Sequence, residues 1–141
     1  MCFGYPHKFT EVQSMQPRLH GYRFLDELED TAVTHVAVEA AQENVDPSMF
    51  SGLKSKTIIL GVLSLADDSP VETPEEVAAR VKRALEVIPA ERLWLGPDCG
   101  MKYMPREVAF GKLQALARGV ALVRGEIGLA EPRMAAVVSG V

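Results

Sequence analysis

Two cysteines, Cys2 and Cys99, and one glutamate, Glu39, stand where side chains can do chemistry. Cys99 lies in Gly96-Pro97-Asp98-Cys99-Gly100-Met101-Lys102, directly after the apolar run Arg92-Leu93-Trp94-Leu95. Glu39 closes a second run, Ala32-Val33-Thr34-His35-Val36-Ala37-Val38. Cys2 sits in a segment punctuated by Gly4 and Pro6, which reads as the loop after a strand. Two thiolates and a carboxylate are a donor set that zinc accepts. In a parallel sheet with right-handed crossovers, strand ends of this kind share one rim, and ligands collect there. The residues alone leave a plainer reading open. A lone cysteine often serves as a small buried hydrophobe, and two separated cysteines fall short of a paired Cys-x-x-Cys signature.

Other residues invite the same weighing. Asp98, beside Cys99, can orient a ligand or accept a substrate proton, and it also suits a plain turn. Lys102 can meet an anion or stay solvated. Asp67 and Asp68 resemble a metal pair, but a polar loop before Pro70 accounts for them. His20 falls in a helical pattern and His35 inside a strand. Trp94, within a strand, reads as core. Gly61 and Gly111 read as points of close packing.

The elements that must position these residues follow from periodicity. Helical spacing runs from Pro17 to about Glu29, with Leu19, Tyr22, Phe24, Leu25 and Leu28 on one broad face. A β-branched strand covers Ala32 to Val38. Asp46-Pro47-Ser48 opens a short helix through Leu53. Thr57-Ile58-Ile59-Leu60-Gly61-Val62-Leu63 is almost continuously apolar, as a strand covered on both faces should be. Thr73-Pro74-Glu75-Glu76 carries a capping box with proline at the first helical position. Val77, Val81, Leu85 and Ile88 mark the buried stripe of that helix, and Pro89 stops it. After the strand at 92–95, Met104-Pro105-Arg106-Glu107 opens a long helix to about Arg124, with Val108, Leu113, Leu116, Val120 and Val123 as its apolar positions. Strands that alternate with helices imply an α/β fold with a parallel sheet. About three parallel strands fall short of closing a ring, so the chain reads as the last part of a (β/α)8 barrel of the TIM type.

Composition narrows the function classes. The chain has 141 residues, 48% hydrophobic and 24% charged, with a formal net charge of −4. That suits one domain over 1–141, with 126–141 as a poorly defined tail. Basic residues are scattered, which argues against nucleic acid as a partner. No apolar run reaches membrane-spanning length, and no basic-then-apolar leader opens the chain. The expectation is a cytoplasmic protein with reduced thiols.

The stretches Glu72-Thr73-Pro74-Glu75-Glu76-Val77-Ala78-Ala79-Arg80 and Ile88-Pro89-Ala90-Glu91-Arg92-Leu93-Trp94-Leu95-Gly96-Pro97-Asp98-Cys99-Gly100-Met101-Lys102 closely resemble the C-terminal catalytic barrel of cobalamin-independent methionine synthase. Its relatives, including the epoxyalkane–coenzyme M transferases, share the pattern, and the similarity runs over roughly residues 1–125. The resemblance implies a zinc ion held by a His-x-Cys pair, a strand-end glutamate and the cysteine of an Asp-Cys-Gly block. Cys2, Glu39 and Cys99 match three of these positions, and the histidine would precede Met1; His7, five residues from Cys2, is the candidate substitute, with an ordinary loop histidine as the plainer reading. The implied chemistry is alkyl transfer to a thiol that zinc holds as thiolate. The methyl donor would be a methylated folate and the acceptor homocysteine, with epoxide opening in the coenzyme M branch.

A non-catalytic half-barrel acting as a binding or assembly module is the alternative from a different class. In either case, three strands leave two sheet edges and an inner face uncovered. The expected partners are further copies of the chain in a homo-oligomer, or a chain that completes the barrel.

Overall fold

The computed structural model describes residues 22, 24–41, 45–66 and 69–129. The strands β1 (His35–Val38), β2 (Thr57–Leu63) and β3 (Leu93–Pro97) form one parallel sheet in the order β1-β2-β3. Helix α1 (Pro74–Leu85) connects β2 to β3, and α2 (Arg106–Glu126) follows β3. One-turn 3-10 helices fill the remaining joints at Leu25–Leu28, Pro47–Phe50 and Ala90–Arg92. This is an α/β fold of three strands with crossover helices, a partial TIM-type barrel.

Local chemistry explains the elements. The Thr73 hydroxyl accepts from the Glu76 amide at 3.2 Å while the Glu76 carboxylate accepts from the Thr73 amide at 2.7 Å, so the capping box is complete in both directions. The helix ends at Leu85, before Pro89 can interfere. Residues 47–50 form only a single 3-10 turn, capped by the Asp46 carboxylate on the Ser48 amide at 2.9 Å. The part of the expected Pro17–Glu29 helix that lies within the described residues is the single 3-10 turn Leu25–Leu28. β1 is shorter than the run that announced it, starting at His35 instead of Ala32.

The core lies between the sheet and the helices. Val36, Val38, Ile58 and Leu60 meet Val77, Val81, Ala84 and Val123 there. The opposite face is open. Trp94 is 54% exposed and its ring meets His35 edge-on at 5.1 Å. The expectation that Trp94 is core is therefore corrected. Strand residues alternate between faces, and Trp94 falls on the face that no described helix covers.

Helix α2 brings a second correction. Its buried residues are Lys112, Ala115, Gly119 and Val123, while Leu113 is 45% exposed. The cause is close approach to α1. A Cβ at Gly119 would lie 2.7 Å from both the Pro74 carbonyl oxygen and Val77 Cβ. Gly119 therefore faces the neighbouring helix, and Phe110, Leu113 and Leu122 turn outward while Leu116 packs against the core.

Candidate functional site at the strand ends

β1 and β3 are separated by β2, so a site shared by Glu39 and Cys99 must bridge the end of the middle strand. Asp98 makes that bridge. Its Oδ1 accepts from the amides of both Ala40 and Ala41 at 3.0 Å. The carboxylate thereby fastens the turn after β3 to the two residues that follow Glu39. Gly61 on β2 makes the crossing possible, because a Cβ there would overlap Asp98 Oδ1 and lie 2.7 Å from Asp98 Cα. This agrees with the reading of Gly61 as a point of close approach.

The same turn is secured to β2 through its backbone. The Asp98 amide donates to the Leu63 carbonyl at 3.1 Å. Pairing runs Gly61 to Gly96 and then Leu63 to Pro97, which leaves Val62 as the extra residue of a bulge. The Val62 carbonyl accepts from Arg80 Nη1 of α1 at 2.6 Å. The bulged residue's carbonyl is therefore not stranded, and the bulge re-aims the strand end where the Asp98-Cys99 turn begins.

Glu39 is buried, at 6% exposure, and its carbonyl accepts from the Tyr22 hydroxyl at 3.1 Å. Asp98 is buried beside it, and Cys99 is partly buried. Glu39, Asp98 and Cys99 thus sit on one rim, bound together by Asp98. Cys2, His7 and His20 lie outside the described residues, as do Asp67 and Asp68. His35 is exposed at the start of β1, at the other end of that strand from Glu39. Lys102 lies against the ring of Tyr103, 5.2 Å from its centroid.

Among the described residues, no group of three or more His, Cys, Asp or Glu converges in a metal-holding cluster. The donor chemistry at the rim, a carboxylate and a thiol, is of a kind that zinc accepts.

Sequence reading passed over Tyr22 as part of an apolar face, and Glu72 and Lys112 were not singled out. Glu72 and Lys112 form a buried ion pair at 2.8 Å beside the loop after β2. A signal for it was available. Lys112, Ala115, Gly119 and Val123 recur at helical spacing, and a lysine within so small-sided a stripe needs a buried anion.

The family profile described as "Cobalamin-independent synthase, Catalytic domain" matches residues 20–121. The methionine synthase of Thermococcus kodakarensis is 36% identical over 75% of this chain and 32% of its own length. That of Sulfurisphaera tokodaii is 34% identical over 90% of this chain and 33% of its own. Among solved structures, a B12-independent methionine synthase from Shewanella sp. W3-18-1, in complex with selenomethionine, superposes with a TM-score of 0.69 at 29% identity. That match covers 73% of this chain and 30% of the other. The chain therefore spans about a third of the length of the relatives it matches.

Proposed function

Since the chain belongs to the cobalamin-independent methionine synthase family through its catalytic domain, we propose that it carries the thiol-activating part of a zinc-dependent homocysteine methyltransferase. Cys2, Glu39 and Cys99 would hold the metal. The observation that carries this reading is the Asp98 bridge, which ties the Glu39 strand end to the Cys99 turn across β2. A bound zinc would supply Lewis acidity, lowering the pKa of a substrate thiol so that it is thiolate at neutral pH.

The chain's own residues supply the rest. Glu39 offers a carboxylate whose backbone is fixed by Tyr22 and by the amides that follow it. Asp98 is a positioning residue whose two hydrogen bonds hold the spacing between the two donors. Burial of Glu39 and Asp98 keeps water away from that side of the rim. The methyl donor would be a methylated folate and the acceptor homocysteine.

The test is metal content followed by transfer. The purified chain should bind zinc near one equivalent, and Cys99→Ser and Glu39→Gln should each weaken it by at least tenfold. Wild-type affinity retained by both variants would defeat the reading. Methylation of homocysteine from a methylated folate then separates a catalyst from a metal-binding module. The second reading, a half-barrel that serves assembly, draws on the open sheet face around Trp94. Zinc binding without transfer would favour it.

A further inference from the structure

The peptide joining Leu63 to Ser64 is held from both sides. Its carbonyl accepts from the Asp98 amide at 3.1 Å, and its N–H donates to Glu72 Oε1 at 2.7 Å. The other Glu72 oxygen, Oε2, accepts from Lys112 Nζ at 2.8 Å. Lys112 is 0% exposed, and its ammonium also donates to the Pro70 carbonyl at 2.6 Å and to Ser69 Oγ at 3.1 Å. Three donor hydrogens meet three acceptors, so the ammonium is satisfied without water. Arg80 lies 3.4 Å from Glu72 Oε1 while donating to the Val62 carbonyl. A continuous chain of bonds therefore runs from α2 through Glu72 and the Leu63–Ser64 peptide to Asp98, and from Asp98 to the amides after Glu39.

A buried ion pair is a poor way to add stability, because desolvation offsets most of the attraction and an apolar pair of the same volume often does as well. Its geometry is its distinctive product. A charged carboxylate accepts the Ser64 amide along a fixed direction, and an apolar substitute cannot. We propose that Glu72 and Lys112 are positioning residues for the strand-end rim. They fix the Leu63–Ser64 peptide, and through it the Asp98-Cys99 turn and the Glu39 strand end. This inference rests on reading that rim as the ligand site.

The test compares the full chain with Glu72→Gln and with Val123→Ala, a core variant outside the bond chain chosen for a similar loss of global stability. Amide hydrogen exchange is followed by NMR at Ala40, Ala41 and Asp98, without metal, and zinc affinity is measured by chelator competition. Glu72→Gln should accelerate exchange at those amides about tenfold beyond Val123→Ala and weaken zinc by about tenfold, the scale of outer-shell effects on metal sites. Equal exchange in the two variants would overturn the inference. Loss of the zinc reading itself would appear separately, as wild-type affinity retained in Cys99→Ser, and the exchange comparison decides the positioning role in either case. If Glu72→Gln does not fold, the wild-type chain supplies the answer. With rising sub-denaturing urea, the amides of Ser64, Asp98, Ala40 and Ala41 should open as one unit, and independent opening would refute the coupling.

Discussion

Asp98 accepts two backbone amides on one oxygen, so its replacement strands two donors at once. Asp98→Ala should destabilise the chain by about 1–3 kcal/mol, the cost of unsatisfied buried donors. Asp98→Asn, which keeps an acceptor at the same place, should cost less. Urea midpoints of the two variants measure the difference. Gly61→Ala tests the crossing from the other side. Alanine ordinarily favours a regular element over glycine by about 0.5–1 kcal/mol, but here its methyl would meet Asp98 backbone. The clash should win, giving a net loss of about 1–3 kcal/mol and faster exchange at the Ala40 amide. The strand-end positions of Glu39 and Cys99 were legible in the sequence because each follows an apolar run. The bond between their loops was not. Nothing in the residue types shows that the side chain next to the cysteine reaches across a strand, and only the missing side chain of Gly61 hints at the room it needs.

At the scale of elements, α1 was legible almost residue by residue because its start is written in local chemistry, from Thr73 through Glu76. Helix α2 was legible in extent and not in phase. Apolar residues lie on more than one of its sides, and the choice of buried face was made by the approach of α1 to Gly119. Gly119→Ala should therefore destabilise the pair of helices by about 1–3 kcal/mol despite alanine's helix preference of about 1 kcal/mol, as a thermal melt would show. The ion pair beneath α2 adds a pH dependence. Burial raises the Glu72 pKa, but the hydrogen bonds from Lys112 and the Ser64 amide, with the Lys112 charge, outweigh it and leave the carboxyl below its ordinary 4.5. A folded value below the unfolded one means that the pair contributes stability above pH 4.5, which is lost as pH falls through the folded value. Urea midpoints of wild type and Glu72→Gln should converge as the pH is lowered through that window.

For the whole molecule, the sheet has a covered face and an open one. The open face carries Trp94 at 54% exposure, and α2 separately exposes Phe110 at 62% and Leu113 at 45%; apolar surface of this kind, where it is contiguous, marks an interaction site. We expect the chain to associate, with copies of itself or with a chain that extends the barrel. Trp94 is the only tryptophan, so its emission should shift to the blue as concentration rises, in step with mass from sedimentation, and Trp94→Lys should favour the smaller species. The parallel α/β class was legible from alternation of strands and helices alone. The exposure of Trp94 was not, because an apolar residue inside a strand carries no mark of whether its covering surface belongs to the same chain.

The Asp98 crossing over Gly61 has a consequence for how such a rim survives rearrangement of the chain. In a closed ring, the distance between two strand ends is set by curvature, and any change in strand number alters it. Here one carboxylate spans it, in addition to the ladders that pair the three neighbouring strands. We expect the interval from Glu39 to Cys99 to be kept when these three strands are joined to others, because the bond that spans it lies wholly within them.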